Sequence, residues 1–268
     1  MILNIKDFNL RIIANSGQCF RINEVDDDVF DVITTNKFLR IVRISDEIYD
    51  FKCSKTEYLF YKDYFDLKSD YNLYKSIPKS DDAFLKKCIT YGKGLRILNQ
   101  DKFETIISFI ISQRKSIKAI KTSIERLCRL AGNRYKTIYG YYYTFPTASQ
   151  ILKLSKEDLK SCGLGYRIEY IIEFCKRYSY DEFNFKKMEK LSSDKLISKL
   201  MTIKGVGIKV ASCIALFAFH RLDICPRDVW INRVIDKRYK GKIPKSYEKY
   251  LGIIQQYWFN YVVNQNKF

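Results

Sequence analysis

The spacing of apolar residues changes once along the chain. In the first third, Val29 to Ile33, Phe38 to Ile44 and Ile48 to Cys53 are short runs rich in β-branched and aromatic residues, separated by Thr35-Asn36-Lys37 and Ser45-Asp46-Glu47. Such runs and breaks predict antiparallel hairpins. After about Asp81 the period becomes helical: Phe103, Ile106, Ile107, Ile110 and Ile111 fall at i, i+3, i+4, i+7 and i+8, and Ile117, Ile120, Ile124 and Leu127 continue the pattern. Ser155 and Asp158 form a capping-box-like helix start, with Asp in place of the usual Glu or Gln. There is no internal repeat, low-complexity tract or long linker. The expected fold class is therefore α+β, with an N-terminal antiparallel β-sheet subdomain over residues 1–90 and a helical region over 91–268.

The segment 196–217 carries the sharpest local signal. Leu196, Ile197, Leu200 and Met201 read as the inner face of one helix, and Val210, Cys213, Ile214 and Phe217 as that of a second. Between them lies only a tight turn. Its Gly205 and Gly207 permit positive φ and close backbone approach, and the next helix begins with free N–H groups that suit a DNA phosphate. This is a helix-hairpin-helix, with Gly205, Val206 and Gly207 as its expected DNA contacts.

Lys209 follows the turn, and Asp228 follows Pro226-Arg227. An amine is nucleophilic only when unprotonated, and both the positive end of a helix dipole and partial burial disfavour the ammonium form. A neutral Lys209 can attack the sugar C1′ of a flipped nucleotide, expel the base and leave a Schiff base that permits β-elimination of the 3′ phosphate. Taken alone, each residue has a plainer explanation. A lysine after a glycine turn is usually solvated, and Asp228, just before Val229, Ile231, Val234 and Ile235, suits a helix N-cap. Capping and catalysis are compatible.

Composition narrows the partners. With 48 Lys+Arg against 30 Asp+Glu, the formal charge is +18, which favours a polyanion, nucleic acid first, although abundant Ile, Lys and Tyr also suggest a lysine-rich proteome. The eight cysteines contain no C-x-x-C pair, which argues against a zinc site or an iron-sulfur cluster, and reduced thiols are expected. The N-terminus lacks a basic start followed by an apolar run, and no segment has the length of a membrane span. A cytoplasmic, nucleoid-associated monomer with no membrane contact is expected.

Together, the hairpin glycines, Lys209 and Asp228 resemble the helix-hairpin-helix (HhH-GPD) DNA glycosylases with a catalytic lysine, and more specifically the 8-oxoguanine DNA glycosylases. Ser16-Gly17-Gln18-Cys19-Phe20-Arg21, Gly163-Leu164-Gly165-Tyr166-Arg167, and Gln255 with Phe259 match that family in order, so the resemblance covers nearly the whole chain. It implies an α+β fold, double-stranded DNA containing oxidised guanine as partner, and base excision with cleavage of the abasic site. By the same resemblance, Asp228 stabilises the charge developing on the sugar and Gly17 supplies the carbonyl that accepts from N7–H of 8-oxoguanine. Gln255 reads the pairing edge, while Phe259 and Cys213 stack on opposite sides of the ring. Tyr166 and Arg167 wedge the stack and hold the base opposite. No redox cofactor is implied, only a structural alkali cation at the hairpin carbonyls.

Several positions depart from the family pattern. Arg114 stands where the eukaryotic enzymes have an asparagine that enters the vacated space, Ala119 where they have an arginine sensing the opposite cytosine, and Trp230 where they have a histidine near DNA. Arg114 and Trp230 are kept as expected DNA contacts, whereas Ala119 makes no polar contact, so a weaker preference for cytosine opposite the lesion is expected. The sole histidine, His220, is expected to be structural or exposed. Two alternatives remain: a noncatalytic helix-hairpin-helix binder, which does not need Lys209 and Asp228, and a monofunctional alkylated-base glycosylase, whose relatives generally lack the hairpin lysine. A dinucleotide-binding turn at Gly205-x-Gly207 lacks a surrounding βαβ unit.

Overall fold

The computed structural model of the chain describes residues 1–79 and 81–265. Strand β1 (Ile2–Asn4) and helix α1 (Leu10–Asn15) lead into β2 (Ile22–Asp26), β3 (Val29–Thr34), β4 (Lys37–Arg43) and β5 (Ile48–Phe51). These strands form one antiparallel sheet in the order β1-β5-β4-β3-β2. The three runs expected from sequence are β3, β4 and β5. The edge strands β1 and β2 were not legible, because β1 spans three residues and β2 buries only Ile22.

Helices α2 (Lys55–Tyr64), α3 (Asn72–Lys75) and α4 (Ala83–Tyr91) also fall within the first 91 residues, so this part is less purely β than its periodicity suggested. The start of α2 carries a capping box, with Ser54 and Glu57 bonding reciprocally. Beyond it come α5 (Lys102–Ser112) and α6 (Ile117–Ala131), then a hairpin of β6 (Arg134–Thr137) and β7 (Gly140–Tyr143). This hairpin corrects the reading of the second part as wholly helical: its tyrosines suit strands, and Gly140 takes φ +115° at the turn. The chain continues through α7 (Ala148–Leu152), α8 (Lys156–Ser161), α9 (Arg167–Ser179), α10 (Phe185–Met188), α11 (Ser193–Met201), α12 (Ile208–Phe219) and α13 (Val229–Tyr239). A 3-10 turn, Lys245–Tyr250, leads into α14 (Leu251–Gln265). The Ser155–Asp158 capping box opens α8 as expected.

Among the described residues two apolar clusters form. One packs the sheet against α1 and α2 through Phe8, Ile13, Phe30, Ile41, Tyr49 and Phe65; the other gathers the helices from Tyr71 onward. At the centre of the second, every residue of α12 from Val210 to Phe219 is buried. The expected one-sided apolar face is thus buried all round, with Ser212 satisfied by the Ile208 carbonyl, the mark of an interior helix. Phe217 stacks on Phe109 of α5 with ring centroids 5.5 Å apart. Leu196, Ile197 and Leu200 of α11 are buried as expected, but Met201, at the last turn, is 45% exposed. Among the described residues no helix is long and apolar enough to cross a membrane.

The first turn of α14 fits the core only because Gly252 has no side chain. A Cβ there would stand 2.4 Å from Leu216 Cδ1 and 3.0 Å from Ile224 O. Gly252→Ala is therefore expected to lower stability by about 1–3 kcal/mol, read as a lower midpoint in urea; an unchanged midpoint contradicts this packing.

Candidate active site

The hairpin joins α11 to α12 through one enforced glycine and one free one. Gly205 takes φ +77°, and a Cβ there would lie 2.2 Å from the Tyr170 ring. Gly207 occupies the N-cap of α12 with nothing within 4 Å of where a Cβ would point. No side chain caps α12, so its first N–H groups remain available to an anion. Val206 is buried and its N donates to Ile203 O at 3.0 Å, so Val206 anchors the turn. Its side chain is not a contact.

Lys209, at the second position of α12, emerges into an open cleft. The same cleft is lined by Asp228, Gly17, Cys213, Gln255 and Phe259, so four distant stretches of sequence converge there. Lys209 is exposed, which corrects the expectation that it is partly buried in the free protein. Asp228 caps α13, its Oδ1 accepting from Ile231 N at 2.8 Å, while its half-buried carboxylate still lines the cleft. One turn beyond Lys209, Cys213 is buried, and burial pushes its thiol up to about 11 with the Lys209 amine acting in the opposite direction. It is a neutral apolar surface at physiological pH.

Gly17 adopts φ +76° where the chain turns beneath Phe259. Gln18 holds that turn from below: its Nε2 donates to Arg96 O at 2.8 Å and its Oε1 accepts from Leu98 N at 2.9 Å. Gln255 is buried on α14 and accepts at 3.1 Å from Nε2 of Gln256, which also lines the cleft and whose own Oε1 is enclosed without a partner. Sequence reading missed Gln256 and Lys115, both cleft-lining. Adjacency to Gln255 was the signal for Gln256; Lys115 carried only its place beside Arg114 on a basic turn.

The residues expected to probe DNA stand outside the cleft lining. Arg114 is exposed on the α5–α6 turn with φ +52°. Tyr166 is 49% exposed at the start of α9. Trp230, in the first turn of α13, is half-buried against the core with the Arg233 guanidinium 5.7 Å from its ring. Arg167 is placed differently from the exposed residue expected: it is 6% exposed and donates to the carbonyls of Gln113 and Leu164. His220 is structural, ending α12 in the left-handed region with Nδ1 2.6 Å from Asn99 Oδ1.

A glycine hairpin between two helices, uncapped N–H groups at the start of the second and a lysine in its first turn opening on a cleft define a helix-hairpin-helix protein. The chain belongs to the HhH-GPD superfamily of base excision DNA repair proteins, whose family model matches residues 107–258, and residues 1–106 match the 8-oxoguanine DNA glycosylase N-terminal domain. A solved structure of MBOgg1 in complex with a low-affinity DNA ligand is 35% identical, superposes with a TM-score of 0.91 and aligns over 99% of this chain and 96% of that one. A Clostridium acetobutylicum 8-oxoguanine glycosylase/lyase, solved with double-stranded DNA containing cytosine opposite 8-oxoguanine, is 28% identical with a TM-score of 0.91, covering 100% and 99%. The Saccharomyces cerevisiae N-glycosylase/DNA lyase is 34% identical over 184 residues, 64% of this chain, and the chain spans 48% of that protein's length.

The two hairpin glycines should respond differently to alanine. Gly205→Ala, facing the Tyr170 ring with positive φ, is expected to lower the Tm, whereas Gly207→Ala should leave the Tm unchanged and weaken duplex binding, measured by fluorescence anisotropy. Equal effects on both properties would contradict this division.

Proposed function

We propose that the chain is a bifunctional DNA glycosylase that excises 8-oxoguanine from duplex DNA and then cleaves the abasic site. The carrying observation is that Lys209 and Asp228 share one cleft with Gly17, Cys213, Gln255 and Phe259. The relatives named for this activity or bound to DNA support the reading.

In this account the hairpin main chain and the free N–H groups of α12 hold phosphate beside the cleft. The flipped base enters between Phe259 and Cys213, Gln255 meets its pairing edge, and the Gly17 carbonyl accepts from N7–H, a donor that guanine lacks. Docked DNA covers Lys209, which is exposed without it, and the lone pair of its amine attacks C1′. The glycosidic bond breaks with its electron pair leaving on the base, and the Asp228 carboxylate stabilises the positive sugar. Opening of the sugar ring gives the Schiff base; loss of a C2′ proton then expels the 3′ phosphate. No redox cofactor enters. A structural alkali cation would have to compete at the hairpin carbonyls with the donors already there, since Ile203 O accepts from Val206 N and Thr202 O from the Arg177 guanidinium at 2.6 Å, whose positive charge does not fit a cation at Thr202. The protein acts where the genome lies, in the cytoplasm at the nucleoid.

Asp228→Asn keeps a good N-cap, so it is expected to fold normally while slowing 8-oxoguanine release about a hundredfold in single turnovers. Wild-type release without dependence on Asp228 would contradict the assignment. With Ala119 offering no polar group and Arg114 replacing the asparagine plug, excision opposite cytosine, adenine, guanine and thymine should proceed at comparable rates. A strict cytosine requirement would refute that expectation.

A further inference from the structure

Helix α14 carries a row of amides on a face that packing alone would leave apolar. Gln256, Asn260 and Asn264 stand four residues apart and share one side of the helix, with Gln255 next to the first of them. Gln255, Gln256 and Asn260 are buried, and both glutamines line the cleft. Burying an amide is unfavourable unless its donors and acceptors are met. At the outer end of the row, Asn264 Nδ2 donates to Asn260 O at 2.8 Å and to Asn260 Oδ1 at 2.9 Å. At the inner end, Gln256 Nε2 donates to Gln255 Oε1 at 3.1 Å. Between these ends lie two enclosed amide atoms without a partner among the described residues, Asn260 Nδ2 and Gln256 Oε1. They are a donor and an acceptor, one helical turn apart.

The direction of the row is set at its outer end. A main-chain carbonyl only accepts, so the Asn264 atom on Asn260 O is its NH2 group, and Asn260 must turn its oxygen towards that same group. The Asn260 NH2 is then left for Gln256 Oε1, one turn nearer the cleft. With that link closed, directly or through one bridging water, every amide donates towards the cleft: Asn264 to Asn260, Asn260 to Gln256 and Gln256 to Gln255. The row ends on one lone pair of Gln255 Oε1. Turning the Gln255 amide over would set its NH2 against the NH2 of Gln256, two donors face to face.

We infer that Gln256, Asn260 and Asn264 are positioning residues: together they fix the polarity of the Gln255 amide, so that the cleft prefers a guanine-type pairing edge to an adenine-type one. This rests on the proposed glycosylase function, in which Gln255 meets that edge. A guanine-type edge offers the O6 acceptor beside the N1–H donor, and an adenine-type edge offers the reverse, an NH2 donor beside the N1 acceptor. The held amide meets the first with Nε2 on O6 and the second lone pair of Oε1 on N1–H. The adenine-type edge needs the amide turned over, which the row opposes. Neither Asn260 nor Asn264 is among the residues lining the cleft, so both act only through their neighbours.

The test is single-turnover excision of 8-oxoguanine and of 8-oxoadenine, opposite the same base in otherwise identical duplexes, by wild type, Gln256→Met, Asn260→Leu and Asn264→Leu, each checked for an unchanged far-UV spectrum. 8-Oxoadenine shares the N7–H and the C8 oxygen of 8-oxoguanine, so the comparison isolates the pairing edge. Gln256→Met is expected to lower the ratio of the 8-oxoguanine rate to the 8-oxoadenine rate about tenfold, by slowing the first and speeding the second. Asn260→Leu and Asn264→Leu should move the ratio in the same direction by successively smaller factors. Asn264 is exposed, so its variant keeps the test open if a buried substitution fails to fold. Equal slowing of both lesions, an unchanged ratio in any folded variant, or a loss on 8-oxoguanine without a gain on 8-oxoadenine would overturn the inference. Excision of neither lesion by wild type would instead overturn the proposed function.

Discussion

The interior position of α12 is the constraint on which the site depends. From Val210 to Phe219 the helix is buried on every side, so it has no freedom to turn or slide without exposing apolar surface at about 25 cal/mol per Å². Its N-terminus is consequently fixed where the core ends. That places Lys209 at the mouth of the cleft, Cys213 on its wall one turn deeper, and the uncapped N–H groups beside the hairpin glycines. The surrounding elements are set against this helix: α5 by the Phe109–Phe217 stack and α14 by Gly252 against Leu216.

The site combines a rigid frame with a solvent-facing lysine. Asp228 is held by its cap to Ile231 N, Gly17 by the buried amide of Gln18, and Gln255 by Gln256. Lys209 alone among these faces open solvent in the free protein. In the proposed mechanism, docked DNA covers Lys209 and excludes water from the cleft.

Much of this was legible in the sequence because the hairpin has a chemical reason for each residue type. Gly205 is required by backbone sign and by the Tyr170 ring, and the four-residue spacings of Lys209 with Cys213 and of Gln255 with Phe259 put each pair on one helix face. What was not legible followed from tertiary context. The fully apolar wrap of α12 hides its orientation, and the short edge strands carry too few residues to show a period. The tyrosine-rich β6–β7 hairpin interrupts a helical stretch without any change in apolar content. Arg167 looked like a surface residue until the carbonyls of Gln113 and Leu164 appeared beside it. Lys209 was expected to be partly buried, and nothing local in the sequence shows that it stands exposed in the free protein.

The central claim is that Lys209 is the nucleophile. Borohydride trapping on a duplex with a single 8-oxoguanine, followed by mass analysis of the cross-linked peptide, addresses it directly. A covalent adduct on Lys209, formed by wild type and absent from a folded, DNA-binding Lys209→Gln variant, is the predicted result. An adduct on another residue, or base release without any trapped adduct, would contradict the account.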